Sequence, residues 1–156
     1  MKKKTNVSHS CGCVESHEFN GSEEENKRKV SWLSTRPCTK CWKKTKEAEQ
    51  SAETERAKEL ATAKKLPALS GSEKQIPWAM RIRQGMIDAL AEITKASGAD
   101  DEKVISQFEA AFARNVVTKD SANWFLDHRS LKNEDALRSQ LEQWIMQEKS
   151  KENKAS

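Results

Sequence analysis

Four cysteines, Cys11, Cys13, Cys38 and Cys41, form two close pairs near one end of a chain of 156 residues that holds no other cysteine. The second pair reads Cys38-Thr39-Lys40-Cys41, a C-x-x-C knuckle whose two-residue gap lets both thiolates turn onto one tetrahedral ion at about 2.3 Å. The first pair is tighter, and its middle residue, Gly12, can take the positive φ that such a turn needs. The 24 residues from Val14 to Pro37 are long enough for a short β-hairpin that returns the chain to the same ion. The spacing therefore predicts a structural four-cysteine Zn2+ site in a zinc ribbon. His9 and His17 flank the first pair and keep a three-cysteine, one-histidine set open, should Cys11 and Cys13 not both reach the metal. A catalytic zinc keeps a coordination position for water, and four thiolates leave none.

Other uses of the cysteines fit less well. Disulfides belong to oxidising compartments, whereas the amino terminus, MKKKTNVS, is basic with no apolar run behind it. It gives no secretory signal, and a cytoplasmic protein is expected. A nucleophilic cysteine usually stands alone with a distant histidine, and here all four are paired. No apolar stretch approaches the length of about 18 residues that reads as a membrane span, and mean hydropathy is −0.90.

The elements that must position these groups follow from composition. A hydrophobic content of 35% is low for one core of this size and favours two small domains. Residues 1–70 carry fifteen Lys and Arg against ten Asp and Glu, and residues 71–156 carry thirteen against fourteen. A basic zinc module beside a nearly neutral helical module suits an anionic partner. Residues 29–35, with Val30 and Trp32 in partial alternation, read as the strand entering the second knuckle, and His17-Glu18-Phe19 as its partner. Residues 21–28 read as the polar loop at the hairpin tip. Residues 42–65 are rich in Ala, Glu and Lys and predict a long solvated connector helix. Leu66-Pro67 ends it.

Ser72 and Gln75 form a possible S-x-x-Q capping box for a helix running to about Ala96, with Pro77 an alternative first residue. That helix is apolar over much of its circumference and is expected to be central, with Trp78 and Ile82 packed and Lys74, Arg81 and Arg83 on the outer face. Gly98 suits the position after its end. Asp100 is expected to cap a helix over residues 101–116 with the stripe Val104, Ile105, Phe108, Ala111, Phe112. A third helix covers residues 121–129, and Asn133 caps a fourth to about Lys149 with Leu137, Leu141, Trp144 and Ile145 inward. The expected fold is mostly α with a small β zinc ribbon. The ribbon occupies 1–45, the connector helix and linker 46–69, a bundle of about four helices 70–149, and a disordered tail 150–156.

Residues 70–83, SGSEKQIPWAMRIR, resemble the G-(S/T)-x-K-Q-x-x-W-A-x-x-I-R signature of small zinc-ribbon proteins encoded by phages and plasmids. Residues 121–129, SANWFLDHR, are similar to the A-x-W-W-I-D-x-R segment found later in the same proteins. The chain departs from the pattern at Pro77 and Met80. The resemblance implies a mobile-element or phage origin and a bacterial cytoplasm, but it brings no established activity.

Two binding functions compete. Lys27, Arg28, Lys29, Arg36, Lys40, Lys43 and Lys44, interleaved with Trp32 and Trp42, suit nucleic acid, since cations hold phosphates and an exposed indole stacks on an unpaired base. Lys74 and Arg81 extend the candidate set, the former at a helix start able to receive an anion. The alternative is a protein-binding factor that docks on and modulates a host or defence protein through an aromatic anchor. Asp127, His128 and Arg129 lack a nucleophile or paired carboxylate to complete a site, so they are expected in intramodule salt bridges, and no enzymatic role is expected.

Overall fold

The computed structural model describes residues 2–98 and 101–156. In chain order the elements are β1 (Lys3–Ser8), β2 (Val14–Phe19), α1 (Glu23–Ser34), α2 (Thr39–Ala63), α3 (Gln75–Ala96), α4 (Glu102–Phe112), α5 (Ala122–Asp127) and α6 (Glu134–Ala155). A π-helical turn, Ala113–Val117, continues α4, and a 3-10 turn, Arg129–Lys132, follows α5. The chain divides into two compact units, residues 1–52 and 53–156, with the boundary inside α2.

In the first unit β1 and β2 form a two-stranded antiparallel hairpin with Val7 opposite Glu15 and Thr5 opposite His17. Alternation along a strand puts residues i, i+2 and i+4 on one face, so Glu15, His17 and Phe19 share a face with Val7. Helix α1 packs against β1. The expected partner strand at residues 29–35 is therefore corrected: residues 29–34 are helical, and so is most of the expected tip loop. Ser22 and Glu25 explain why. The Ser22 backbone N–H donates to Glu25 Oε2 at 3.1 Å and the Glu25 N–H to Ser22 Oγ at 3.3 Å, a complete capping box. Glu23, Glu24 and Glu25 all lie in the first turn, where the helix dipole favours negative charge. Apolar filling is sparse. Among residues 2–52 the buried side chains are Val7, His9, Phe19 and Cys38.

The second unit has an ordinary apolar core. Ala79, Ile82, Met86, Ala89 and Ile93 of α3 meet Phe108, Ala111 and Phe112 of α4, Phe125 of α5, and Leu137 and Leu141 of α6. Helix α3 touches α4, α5, α6 and the 3-10 turn, the central place its apolar circumference predicts. Gly85 lets that turn approach, since a Cβ there would lie 2.9 Å from Lys132 Cδ. The second half of α2 is not simply solvated, because Thr54, Ala57 and Ala61 are buried. Its end is a Schellman arrangement: Leu66 N–H donates to Ala61 O and Lys65 N–H to Thr62 O, with Lys65 itself at φ 52° in the position where glycine is usual.

Of the two helix starts read from caps, that at Asn133 is present, whereas the reciprocal Ser72/Gln75 bonds close a turn just ahead of α3, whose own cap position is Lys74 with no side-chain bond. The Ser72 N–H donates to Gln75 Oε1 at 3.1 Å and the Gln75 N–H to Ser72 Oγ at 3.2 Å. Pro77 then falls in the first turn, where its missing N–H leaves no bond unmade. Asn133 Oδ1 accepts from the Ala136 N–H, and Gly98 follows α3 at φ 71°. The capping role expected of Asp100 lies outside the described residues. Helix α6 continues through Ala155, so the charged end is helical where an irregular tail was expected.

Candidate metal centre

Each cysteine pair is set by a different local device. Cys11 and Cys13 sit in the connection between β1 and β2, where Gly12 adopts φ 82° and the His9 N–H donates to Cys13 O at 2.8 Å, closing the turn. Cys38 and Cys41 lie at the start of α2, and the Trp42 N–H already donates to Cys38 O at 2.9 Å. The Ser10 N–H donates to Arg36 O at 3.1 Å, which joins the two segments beside the site.

All four sulfurs lie within 4.8 Å of one another, and Cys13 Sγ is 3.7 Å from Cys41 Sγ. A tetrahedron of thiolates with metal–sulfur bonds of about 2.3 Å has an edge of about 3.8 Å. The site thus has the dimensions of a tetrathiolate metal centre, and no disulfide joins its members. Backbone donors orient the sulfurs: the Cys38 N–H points at Cys11 Sγ (3.2 Å) and the Cys41 N–H at Cys38 Sγ (3.4 Å). The free N–H groups at the start of α2 add partial positive charge beside the second pair.

Four thiols this close cannot all ionise alone. The backbone N–H of Cys38 holds the Cys11 thiol down to about 6, whereas Cys13 is pushed up to about 12, first by Cys41 and then by Cys11 and Cys38. Cys41 is raised as well, chiefly by Cys38. A divalent cation removes this conflict, because a metal-bound thiol is deprotonated outright. The donor set and its electrostatics therefore both fit a cation at the centre of the four sulfurs.

With four sulfurs converging, neither histidine is needed as a substitute ligand. They meet each other instead, His9 Nε2 lying 3.3 Å from His17 Nε2. Near them Trp32, Arg36 and Trp42 line one cavity of about 320 Å3. Trp32 is 55% exposed and Trp42 53%, and the Arg36 guanidinium lies over the Trp32 ring at 4.1 Å. Lys27, Arg28 and Lys29 are exposed on α1, and Lys40, Lys43 and Lys44 on the first turns of α2. Lys27 is paired with Glu23 at 3.2 Å.

Lys74 and Arg81 belong to the second unit. Lys74 is exposed, while Arg81 is half-buried with its Nη1 3.8 Å from Glu53 Oε2. Two expectations on α3 are reversed: Trp78 is 48% exposed, and Arg83 only 3%. Arg83 turns inward because its Nη1 donates to Pro67 O at 2.7 Å and its guanidinium lies 5.9 Å from the Phe125 ring. The two segments around residues 70–83 and 121–129 lock together. Ser70 and Ser121 form a parallel bridge, the Ala122 N–H donates to Ser70 O, and Gln75 Nε2 donates to Asn123 Oδ1 at 2.9 Å. Among the described residues no salt bridge joins Asp127, His128 or Arg129; His128 hydrogen-bonds Trp124 O and Arg129 hydrogen-bonds Leu126 O, while the His128 ring stacks on Trp124 at 4.2 Å.

Sequence reasoning missed Glu15, whose carboxylate lies 3.5 Å from His9 Nε2 and 3.7 Å from His17 Nε2. The signal was the alternation Glu15-Ser16-His17, readable only once the strand is known to begin before His17. Among the described residues no helix is long and apolar enough to cross a membrane. No protein-family model matches the chain, and no significant match was found among curated proteins or solved structures.

Proposed function

We propose that the four cysteines hold a structural Zn2+ and that the amino-terminal unit built on it is a non-enzymatic module that contacts nucleic acid. Zinc is a borderline-soft ion for which four thiolates in a tetrahedron are a usual structural ligand set. The observation that carries the binding reading is the pair of half-exposed indoles, Trp32 and Trp42, lining one cavity with Arg36. Exposed aromatic rings beside cations are what single-stranded nucleic acid uses, base on indole and phosphate on ammonium or guanidinium. Charge supports it, since residues 1–52 carry eleven Lys and Arg against seven Asp and Glu, whereas residues 53–156 carry seventeen of each.

Fluorescence anisotropy of labelled single- and double-stranded oligonucleotides at low salt tests the reading. Micromolar binding that weakens steeply with salt is expected, with Trp32→Ala or Trp42→Ala losing about 1–3 kcal/mol each. Absence of micromolar binding, or binding indifferent to salt, removes it.

One observation favours a second reading, a factor that docks on a host or defence protein. Trp78 stands 48% exposed on α3 of the electrically neutral unit, and exposed tryptophans are frequent anchors of protein interfaces. A nuclease-treated pull-down that recovers one stoichiometric protein with the parent chain, and loses it with Trp78→Ala, selects this reading. The resemblance of residues 70–83 and 121–129 to phage- and plasmid-encoded zinc-ribbon proteins supports a mobile-element setting for either function.

A further inference from the structure

We propose a second metal site in the amino-terminal unit, formed by His9, Glu15 and His17 and taking a divalent transition-metal ion such as Zn2+ through two imidazoles and one carboxylate. The three side chains come together for reasons of fold. Glu15 and His17 alternate along β2 and so share a face of the hairpin, and His9 stands just beyond the end of β1.

His9 is prepared for ligation. Its side chain is almost wholly buried, and its Nδ1 lies 3.1 Å from Leu33 O and 3.2 Å from Arg36 O. Carbonyl oxygens only accept, so Nδ1 carries a proton, and in the neutral ring Nε2 is left to present a lone pair. An imidazole whose far nitrogen donates to a backbone carbonyl is the usual outer arrangement of a metal-binding histidine. His17 is steadied by its ring stacked on Phe19, 6.1 Å between centroids.

The distances to the Glu15 carboxylate fit a metal site better than a hydrogen bond. A charge-assisted bond from imidazole to carboxylate is expected at about 2.7–2.9 Å, yet Glu15 Oε2 stands 3.5 and 3.7 Å from the two Nε2 atoms. A tetrahedron with metal–ligand bonds of about 2.0–2.1 Å has edges of about 3.3–3.4 Å. The Nε2 to Nε2 distance is 3.3 Å, and the two contacts to oxygen exceed that edge by a few tenths of an ångström. All three donor atoms lie within 4.8 Å of one another.

Ion binding displaces any proton held between the two Nε2 atoms, which leaves to solvent or moves to His17 Nδ1. Three protein ligands leave a tetrahedral ion one position for water, unlike the closed thiolate centre. Both imidazoles also line the cavity that holds Trp32, Arg36 and Trp42, so an exogenous ligand on that ion would lie close to the proposed binding surface.

The test is metal stoichiometry of the purified full chain, read by zinc titration and by cobalt substitution. The parent chain is expected to hold two zinc equivalents. His17→Gln and Glu15→Gln should each reduce this to one, with the thiolate-to-cobalt charge-transfer band of the cysteine centre unchanged, which also shows that the variants fold. These positions are chosen because replacing His9 would also remove its bonds to Leu33 and Arg36. One equivalent only, in excess zinc, overturns the proposal, as does a second equivalent that survives both substitutions.

Discussion

The two units reach a fixed structure by opposite means. Residues 2–52 bury four side chains, and two of those, His9 and Cys38, carry atoms able to ligate a metal; the second unit buries a continuous apolar set that includes Phe125, Ile82, Met86, Leu137 and Leu141. At about 25 cal/mol per Å2 of apolar surface, Val7 and Phe19 offer little against the conformational entropy of some fifty residues. The first unit therefore needs something else to hold its turns together, and the zinc proposed for the four-cysteine site would supply that stabilisation directly. The second unit has an apolar core of its own to hold it. Burial and metal ligation are alternative routes to order, and on the proposed reading this chain uses one in each half.

Substitutions can break the contrast, beginning with the largest effect. Cys38→Ser removes a buried ligand and should abolish stoichiometric zinc at the thiolate centre, because structural zinc contributes about 10–16 kcal/mol to such sites. Circular dichroism should then show loss of α1 and of the start of α2, with the signal of the second unit retained. Phe125→Ala makes the opposite cut. It should destabilise the helical unit by about 3–5 kcal/mol in denaturant titration while zinc content stays at the parent value.

Smaller changes sharpen the picture of the helical unit. Gly71→Val places a Cβ 2.8 Å from Ala122 Cβ, where the two signature-like segments meet, and overpacking there should cost about 1–3 kcal/mol. The melting temperature of the helical unit reads that loss. Lys65→Gly should stabilise by about 1 kcal/mol, since a residue other than glycine at φ 52° is strained by its Cβ; unchanged stability would show the turn to be relaxed.

The helical unit was the more legible half because its signals are local and repeated. Asn133 and Gly98 marked helix ends through the side-chain and backbone needs of those positions, Ser72 with Gln75 marked the turn that leads into α3, and the stripe Phe108, Ala111, Phe112 carried the helical period. The convergence of the cysteines was also readable, since two short-spaced pairs have one economical use. What lies between them was misread. Val30 and Trp32 suggest a strand by type, but Ser22 and Glu25 cap a helix over the same residues, and the cap with its acidic first turn prevails. Arg83 and Trp78 exchanged places for a similar reason. Period alone fixes the side of a helix only to within a turn, and the carbonyl of Pro67 that receives Arg83 is sixteen residues away. The group of His9, Glu15 and His17 was hidden because it depends on hairpin register, which the sequence leaves open until the strand ends are known.

Hydrogen exchange read by mass spectrometry on the full chain, with zinc and after chelation, tests the metal-built character of the amino-terminal unit most directly. Chelation is expected to collapse protection across residues 2–52 while leaving the core of residues 53–156 protected. Retained protection across β1, β2 and α1 in the metal-free chain would contradict it.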